Sequence, residues 1–200
     1  MVETIRISRH HYRGALQKAA EVVRAGGVIL YPTDTLYGLG GNALSQKVAE
    51  RILQIKGSEP NKPMSVTMSD IVMIERYCEV DEWQREVLNK NLPGPFTFLL
   101  RTKTEIPVAS EGKLGVRIPD YSFAHMLAGI ADLPVISTSA NPSGKSAPTR
   151  FDEVDPKILG SVDLAIDDGV TKYHGPSAVV DLVEKKIIRQ GVSGIDLSGR

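Results

Sequence analysis

Short apolar runs alternate with amphipathic helical patterns along this chain, and that alternation limits the possible folds more than any other feature. The apolar residues of 13–25 recur at helical spacing and stop at Gly26-Gly27. Residues 28–31 are wholly apolar and end at Pro32, which is typical of a buried strand. This order predicts an α/β fold, a twisted mixed sheet of parallel and antiparallel strands with flanking helices.

The same reading places the remaining elements. Helices are predicted over 45–57, 69–77, 81–88, 122–130 and 152–159, with Ser45, Ser69 and Asp81 as N-caps. Strands are predicted over 64–68, 96–101, 114–118, 135–136, 164–166, 177–183 and 186–189. The last three strands follow each other without helices between them, which predicts antiparallel pairing.

The charge balance and cysteine content exclude several classes of protein. The 200 residues carry 24 Lys and Arg against 24 Asp and Glu, which argues against a protein that mainly coats nucleic acid. Cys78 is the single cysteine, so an internal disulfide and a cysteine-based zinc site are excluded. No apolar run has the length of a membrane span, and the N-terminus has no apolar signal core. We therefore expect one cytoplasmic domain over residues 1–200, without a membrane partner.

Four polar or glycine-rich segments adjoin predicted strand ends, where α/β sheets bind ligands. The first, residues 26–41, places Thr33, Asp34, Thr35 and Tyr37 before three glycines. Hydroxyls beside flexible backbone suit a small polar ligand, but a turn whose side chains satisfy their own backbone explains the same pattern.

Two further segments suit phosphate. Lys56 and Lys62 flank a proline-containing loop and would supply point charges, or they belong to a solvated surface loop. Residues 134–149 lead from a buried strand into hydroxyls, Asn141 and Lys145. Position 139 is serine where a P-loop needs glycine, so that motif is excluded, although a hydroxyl cluster can still hold phosphate.

The fourth segment is residues 115–120, which contains Arg117 between Val116 and Ile118. An arginine on a central strand either pairs with a buried acid or binds an anion, and the sequence leaves both alternatives open. The histidines show no metal spacing, and Cys78 has no nucleophile pattern around it. We therefore predict no resident metal and no covalent catalytic residue.

Taken in order, five motifs resemble the YrdC-like family, the L-threonylcarbamoyladenylate synthases. They are residues 31–39 (YPTDTLYGL), 56–57 (KG), 92–97 (LPGPFT), 115–119 (GVRIP) and 137–144 (STSANPSG). The resemblance runs from about residue 10 to residue 192 and implies a YrdC-like fold with a concave, basic cavity. It corresponds to the bare catalytic domain of longer members.

The resemblance also implies an activity, a nucleotidyltransferase reaction. Threonine, bicarbonate and ATP give threonylcarbamoyl-AMP and pyrophosphate, with Mg²⁺ expected on the phosphates. Other tRNA-modification proteins then transfer the group to adenosine, giving N6-threonylcarbamoyladenosine. Such chemistry needs positioning and cations rather than a nucleophile. Contact with tRNA or double-stranded RNA is left open.

Residue by residue, the resemblance implies two sets of contacts. The threonine contacts are Thr35, Thr67, Arg117, Ser139 and Ser177, with Arg117 on the carboxylate. The ATP contacts are Lys56, Ser58, Lys62, Asn141, Thr149 and Arg189.

The chain departs from the family pattern at three places. Ser58 stands where the family has an arginine two residues after the lysine, and Thr67 stands at a position often occupied by histidine. Gly175-Pro176 and Ala178 replace parts of a Glu-Ser-Thr-Val motif around Ser177. Paralogues called YciO-like also lack the full motif, so the alternative function is a nucleotide- or RNA-binding paralogue without efficient synthesis.

Overall fold

Helices and strands alternate as the sequence predicts. The computed structural model describes residues 2–8, 11–195 and 197. The helices are α1 (Tyr12–Arg24), α2 (Gln46–Lys56), α3 (Ile71–Tyr77), α4 (Glu82–Asn91), α5 (Ser122–Ala131) and α6 (Pro156–Leu159). The strands are β1 (Glu3–Arg6), β2 (Ile29–Pro32), β3 (Tyr37–Gly40), β4 (Val66–Thr67), β5 (Phe96–Arg101), β6 (Lys113–Arg117), β7 (Val135–Ile136), β8 (Thr138–Ser139), β9 (Leu164–Asp167), β10 (Ala178–Asp181) and β11 (Lys186–Arg189).

The strands form two mixed sheets rather than one. The first has the order β1-β9-β2-β3-β8, and the second has the order β11-β10-β5-β6-β4-β7. Only Ser137 separates β7 in the second sheet from β8 in the first. The Tyr31 hydroxyl, on β2, lies 3.2 Å from both Thr67 Oγ1 on β4 and the Ile136 carbonyl on β7. The α/β class with a mixed sheet and flanking helices is therefore confirmed, and the sheet is divided at Ser137.

The predicted pairing of the last three strands is half wrong. β10 and β11 pair antiparallel, as expected. β9 instead lies in the other sheet, parallel to both β1 and β2. The turn between β9 and β10 includes Asp168–Gly175 and lets the chain cross from one sheet to the other, which strand spacing alone does not reveal.

Local capping chemistry fixes the helix ends. Ser45 caps α2 through the Val48 N–H, Gly57 ends it in the left-handed conformation, and Asp81 caps α4, all as predicted. The predicted cap at Ser69 is wrong, because Asp70 accepts the Met73 N–H at 2.7 Å, while the Ser69 hydroxyl donates to Asp70 and to Met73 Sδ.

The helix predicted over 152–159 is interrupted. Residues Phe151–Glu153 form a 3-10 turn, and α6 begins afresh at Pro156, with Asp155 capping the Lys157 N–H. Proline at the first helical position starts a helix readily but cannot continue one.

Strands β1, β3 and β8 were not predicted. The glycines of β3 were expected to give flexible backbone, but they lie in a buried strand antiparallel to β2. A Cβ at Gly40 would lie 2.6 Å from Tyr31 Cε1, so glycine is needed there for close packing rather than for flexibility.

One continuous apolar core connects both sheets and the helices around them. It includes fully buried Tyr31, Tyr37, Phe98 and Phe123. None of the helices in the described part of the chain combines the length and apolar character that crossing a membrane requires.

Candidate functional site

A cavity of about 820 Å³ opens between the two sheets. The first sheet and its β2–β3 loop contribute Thr33 and residues 35–38 and 138–139, and the second sheet contributes residues of β5, β6, β10 and β11. The structure brings most of the predicted site residues together around this space: Thr35, Lys56, Ser58, Lys62, Arg117, Ser139, Asn141, Ser177 and Arg189.

Two predicted site residues do not line the cavity. Thr67 is fully buried on β4, where its hydroxyl meets Tyr31. Thr149 holds Glu153 Oε2 through its N–H and its hydroxyl, at 2.8 and 3.1 Å. Both threonines therefore make structural contacts within the protein.

Arg117 lies at the end of β6 with its guanidinium buried. Its Nη2 donates to Asp34 Oδ1 at 2.5 Å and to Thr35 Oγ1 at 2.9 Å. Of the two alternatives that the sequence left open, the structure therefore shows the buried acid. The Arg117 Nε is also buried and has no hydrogen-bond partner among the residues described. The Nε hydrogen and the two Nη1 hydrogens of this cavity-lining guanidinium are thus not used by Asp34 or Thr35.

Asp34 is fully buried and uses both carboxylate oxygens. Besides Oδ1 on Arg117, Oδ2 accepts the Asp120 N–H at 3.0 Å. Burial raises the pKa of the Asp34 carboxyl, while the Arg117 guanidinium and the Asp120 N–H oppose that rise. Thr33 instead satisfies its own turn, accepting the Thr35 and Leu36 N–H groups. The alternative that these side chains only satisfy the backbone of their own turn is therefore correct for Thr33 and wrong for Asp34.

Lys56 ends α2 and extends into the cavity wall. Its Nζ donates to the Ser139 carbonyl and, at 3.0 Å, to the Asn141 carbonyl. Burial lowers the pKa of Lys56 to about 8, and repulsion from Lys62 adds to this. Two donors of a tetrahedral ammonium are thus engaged, and one remains.

The loop after α2 holds the other two predicted phosphate contacts. The Ser58 hydroxyl is buried and lacks a hydrogen-bond partner within the described chain. Lys62 is exposed at the cavity rim. The alternative that both lysines belong to a solvated surface loop is therefore correct for Lys62 and wrong for Lys56.

Asn141 has a fixed side-chain orientation. Its Nδ2 donates to the carbonyls of Pro142 and Lys145, at 3.0 and 2.7 Å. Its Oδ1 is buried and accepts no hydrogen bond from the residues that the structure describes. The group that Asn141 offers to a ligand is therefore an acceptor.

Ser177 and Arg189 border the cavity next to Arg117. Ser177 Oγ lies 2.9 Å from Thr97 Oγ1, and Arg189 Nη2 donates to the Ser177 carbonyl at 2.9 Å. Burial lowers the pKa of Arg189, and repulsion from Arg117 lowers it further. The two guanidinium groups therefore line the same cavity and repel each other.

Sequence reasoning missed a charged cluster at a third part of the cavity wall. Lys113 Nζ binds Asp181 Oδ2 at 2.7 Å and Glu184 Oε1 at 2.5 Å, and Glu184 also binds Lys186. The alternation of β6 places Lys113 on the same face as Arg117, which was the available signal. The carboxylates compensate these two lysines, leaving Lys56, Lys62 and Arg189 without a carboxylate partner in the described ranges.

This arrangement suits an anionic ligand held by position and charge. Within residues 2–8, 11–195 and 197, no group of three His, Cys, Asp or Glu side chains is placed to hold a metal. Cys78 is buried outside the cavity, and burial raises its pKa to about 12, so it is not an activated nucleophile.

Comparison with known proteins identifies the family of this chain. The family model for Sua5, YciO and YrdC, described as telomere recombination, matches residues 21–191. A Methanocaldococcus jannaschii protein, provisionally named threonylcarbamoyl-AMP synthase, is 35% identical over 100% of this chain and 97% of its own length.

Two solved structures have the same fold. Pyrococcus abyssi Sua5, solved in complex with L-threonine, superposes with a TM-score of 0.87 at 28% identity, covering 96% of this chain and 57% of that one. Escherichia coli YciO gives 0.85 at 27% identity, covering 98% of each chain. This chain thus spans little more than half of the Sua5 chain but nearly all of YciO and of the archaeal relative. The chain belongs to the Sua5/YciO/YrdC family.

Proposed function

We propose that this chain is a threonylcarbamoyl-AMP synthase whose cavity binds threonine, bicarbonate and ATP, and that residues 1–200 act as one domain. The observation that carries the proposal is the buried Arg117 Nε, an unpartnered donor in a cavity that also contains Lys56 and Arg189. Relatives named threonylcarbamoyl-AMP synthase and the threonine complex of P. abyssi Sua5 support it.

Threonine would bind at the Arg117 end. Its carboxylate takes the free Nε and Nη1 donors of Arg117, while hydroxyls of Thr35, Ser177 and Ser139 surround the rest. Arg189, which the resemblance assigns to ATP, is placed here on the threonine carboxylate because it borders the cavity beside Ser177. The amine then reacts with bicarbonate, forming a carbamate and releasing water. In this step a carbon–nitrogen bond forms, and the protein needs only to exclude competing water and orient the amine.

ATP would bind at the Lys56 end. Lys56 and Lys62 offer ammonium donors to phosphate oxygens, and Asn141 Oδ1 accepts from a hydroxyl or an amine. Mg²⁺, when bound, would be held mainly by the phosphates and would offset their charge. The carbamate oxygen attacks the α-phosphorus and pyrophosphate leaves, which gives threonylcarbamoyl-AMP. Lysine charges stabilise the leaving pyrophosphate. Proteins that modify tRNA would take up the product.

The test is a discontinuous assay with purified protein, MgATP, threonine and bicarbonate. Pyrophosphate release should require both threonine and bicarbonate, and mass spectrometry should detect threonylcarbamoyl-AMP. Degassed buffer without bicarbonate and a reaction without threonine are the controls. Nucleotide binding without threonine-dependent pyrophosphate would contradict the proposal and favour the paralogue without efficient synthesis.

A further inference from the structure

Asp34 is the one carboxylate in contact with the guanidinium of Arg117 in the described structure. The two side chains are 0% and 7% exposed, and Asp34 Oδ1 lies 2.5 Å from Arg117 Nη2. Asp34 is itself fixed, because Oδ2 accepts the Asp120 N–H and its carbonyl accepts the Tyr173 N–H at 2.8 Å. The acid is therefore anchored to two other segments of the chain, and it holds one end of the guanidinium.

Anchoring one end of a planar group decides where the other end points. Nη2 is used by Asp34 and Thr35, so the guanidinium cannot rotate without breaking two buried hydrogen bonds. The Nε and Nη1 hydrogens are the donors left for a ligand. Asp34 thus sets the direction of donors to which it is not itself bonded.

Asp34 also sets the charge of this end of the cavity. Arg117 and Arg189 contribute two positive charges, and Asp34 cancels one. The nearby Asp120 carboxylate is paired with Lys172 and therefore adds no net charge. One net positive charge remains, which matches a single carboxylate. Without Asp34 the charge would be two, which matches a phosphate dianion.

We propose that Asp34 is a positioning and specificity residue, which orients Arg117 and restricts this end of the cavity to a monoanionic carboxylate while excluding phosphate. The inference rests on the proposed function, since the carboxylate is that of threonine. As a consequence, the two ends of the cavity bind different ligands. Phosphates are directed to the Lys56 end, and the amino acid is directed to the Arg117 end.

The test is Asp34→Asn, which keeps the shape but removes the charge. Threonine titrated by calorimetry should bind about tenfold more weakly, the loss expected when one charge-assisted contact is misdirected. Inorganic phosphate at millimolar concentration should compete with threonine in Asp34→Asn and not in the wild-type protein. In turnover, the KM for threonine should rise while the KM for ATP changes little.

Asp163→Asn is the matched control. Asp163 also binds an arginine, Arg51, at 2.5 Å and a backbone N–H, that of Val28, at 2.7 Å, but Arg51, unlike Arg117, lies outside the cavity lining. Its substitution should change neither threonine affinity nor phosphate competition. If Asp34→Asn behaves like Asp163→Asn, the inference is wrong. If the wild-type protein binds no threonine, the proposed function and this inference both fail.

Asp34→Glu covers the case in which the asparagine variant does not fold. It keeps the charge and displaces the carboxylate by one methylene. Phosphate should remain excluded, while threonine affinity should drop several-fold because the guanidinium is pushed from its position. Threonine affinity equal to wild type in Asp34→Glu would overturn the positioning role.

Discussion

Arg117 shows why a lysine cannot replace an arginine at a site that needs several directed donors. Its guanidinium already serves Asp34 and Thr35 and still has Nε to offer. An ammonium at the same place has no rigid plane to serve all of these directions. Arg117→Lys should therefore weaken threonine binding by about ten- to a hundredfold, or roughly 1.5–3 kcal/mol. Isothermal titration with threonine measures this directly.

Nucleotide affinity measured without threonine is the internal control for Arg117→Lys and should change much less. Equal loss of both ligands would instead indicate a general collapse of the cavity. Unchanged threonine affinity would leave Arg117 as the structural partner of Asp34 and would weaken the synthase proposal itself.

Lys56 makes nucleotide binding depend on pH. Burial and Lys62 lower its pKa to about 8, so the ammonium loses its proton as the pH rises from 7 to 9. If the charged form binds phosphate, nucleotide affinity should decrease across this range. Lys56→Arg keeps the charge at these pH values and should remove most of the dependence. A titration of a non-hydrolysable ATP analogue at several pH values provides the measurement.

Deprotonation of Lys56 should weaken nucleotide binding but increase the stability of the fold. The folded pKa of Lys56 lies below the ordinary lysine value of 10.5, so the unfolded chain binds this proton more tightly. The Lys56 contribution to the free energy of unfolding should therefore increase as pH rises from about 8 towards 10.5. Urea unfolding of the wild-type protein and Lys56→Met at pH 7 and 9 tests the sign, because the difference between them should shift in favour of the wild type.

Ser58 marks the loop in which a family arginine is missing. Its hydroxyl is buried without a partner in the described residues, at the wall that also carries Lys56. Ser58→Arg should add a donor for phosphate and lower the Kd for an ATP analogue several-fold. Turnover with threonine and bicarbonate should rise or stay constant. A loss of both affinity and turnover would show that this loop has adapted to Lys62.

Most of the residues that the ordered motifs indicate line one cavity, whereas their distant partners in the chain were not predicted. Arg117 was identified as ligand- or acid-bound, but its partner Asp34 is 83 positions away and no local pattern connects them. Thr67 was placed in the site by motif, yet the side chain points to Tyr31 between the sheets. The alternation of side chains along a strand predicts on which face of the sheet a residue lies, but not which segment of the chain packs against that face.

At the scale of single elements, β11 is placed by a close backbone approach at Gly191. A Cβ there would lie 2.0 Å from Ala178 N and 2.4 Å from Ser177 C, both backbone atoms. Gly191→Ala should therefore push the segment after β11 away from β10, at a cost of at least about 1–3 kcal/mol in stability. Thermal unfolding measures the loss, and threonine binding should weaken because Arg189 and Ser177 lie at this junction.

Gly14→Ala is the control for that substitution. Gly14 lies in α1, and a Cβ there would meet no atom within 4 Å. Alanine should raise the stability by about 0.5–1 kcal/mol through helix propensity. A destabilised Gly14→Ala, or a stable Gly191→Ala, would contradict the packing argument.

Elements with their own local signals were predictable from the sequence. Helices α2 and α4 have side-chain caps, and β5 and β11 are confirmed with their exact bounds. The bounds of β7 are also confirmed, and β4 lies within the predicted strand 64–68, whereas the two-residue β8 was not predicted because it is too short for any period to show. Strand β3 was hidden by glycines whose purpose is contact with Tyr31.

For the whole molecule, the decisive feature is the passage of the chain between two sheets at Ser137. The Ser137 N–H donates to the carbonyl of Ser65, the residue before β4 of the second sheet, at 2.8 Å. Two residues later, Ser139 pairs with Gly38 in the first sheet. Nothing in the local sequence signals this division, because both halves have the same strand-like composition. The cavity lies where the two sheets separate. Its position could therefore not be predicted from the sequence, although most of the residues that line it were predicted.

A cavity lined by both sheets should couple ligand binding to the stability of the entire fold. A ligand that binds only the folded protein adds about 2.7 kcal/mol at a hundred times its Kd. For a chain of 200 residues this corresponds to a Tm increase of about 5–10 °C. Threonine and a non-hydrolysable ATP analogue should each raise the Tm, and the two together should raise it further.

Arg117→Lys separates the two contributions in the same melting experiment. The nucleotide contacts at the Lys56 end remain in this variant, so the analogue should still raise its Tm. Threonine at the wild-type saturating concentration should raise it by much less, because the binding constant has fallen. A threonine-induced shift as large as that of the wild-type protein would place the carboxylate elsewhere in the cavity. A nucleotide shift lost together with the threonine shift would show that the two ends of the cavity do not act separately, contrary to the charge distribution set by Asp34.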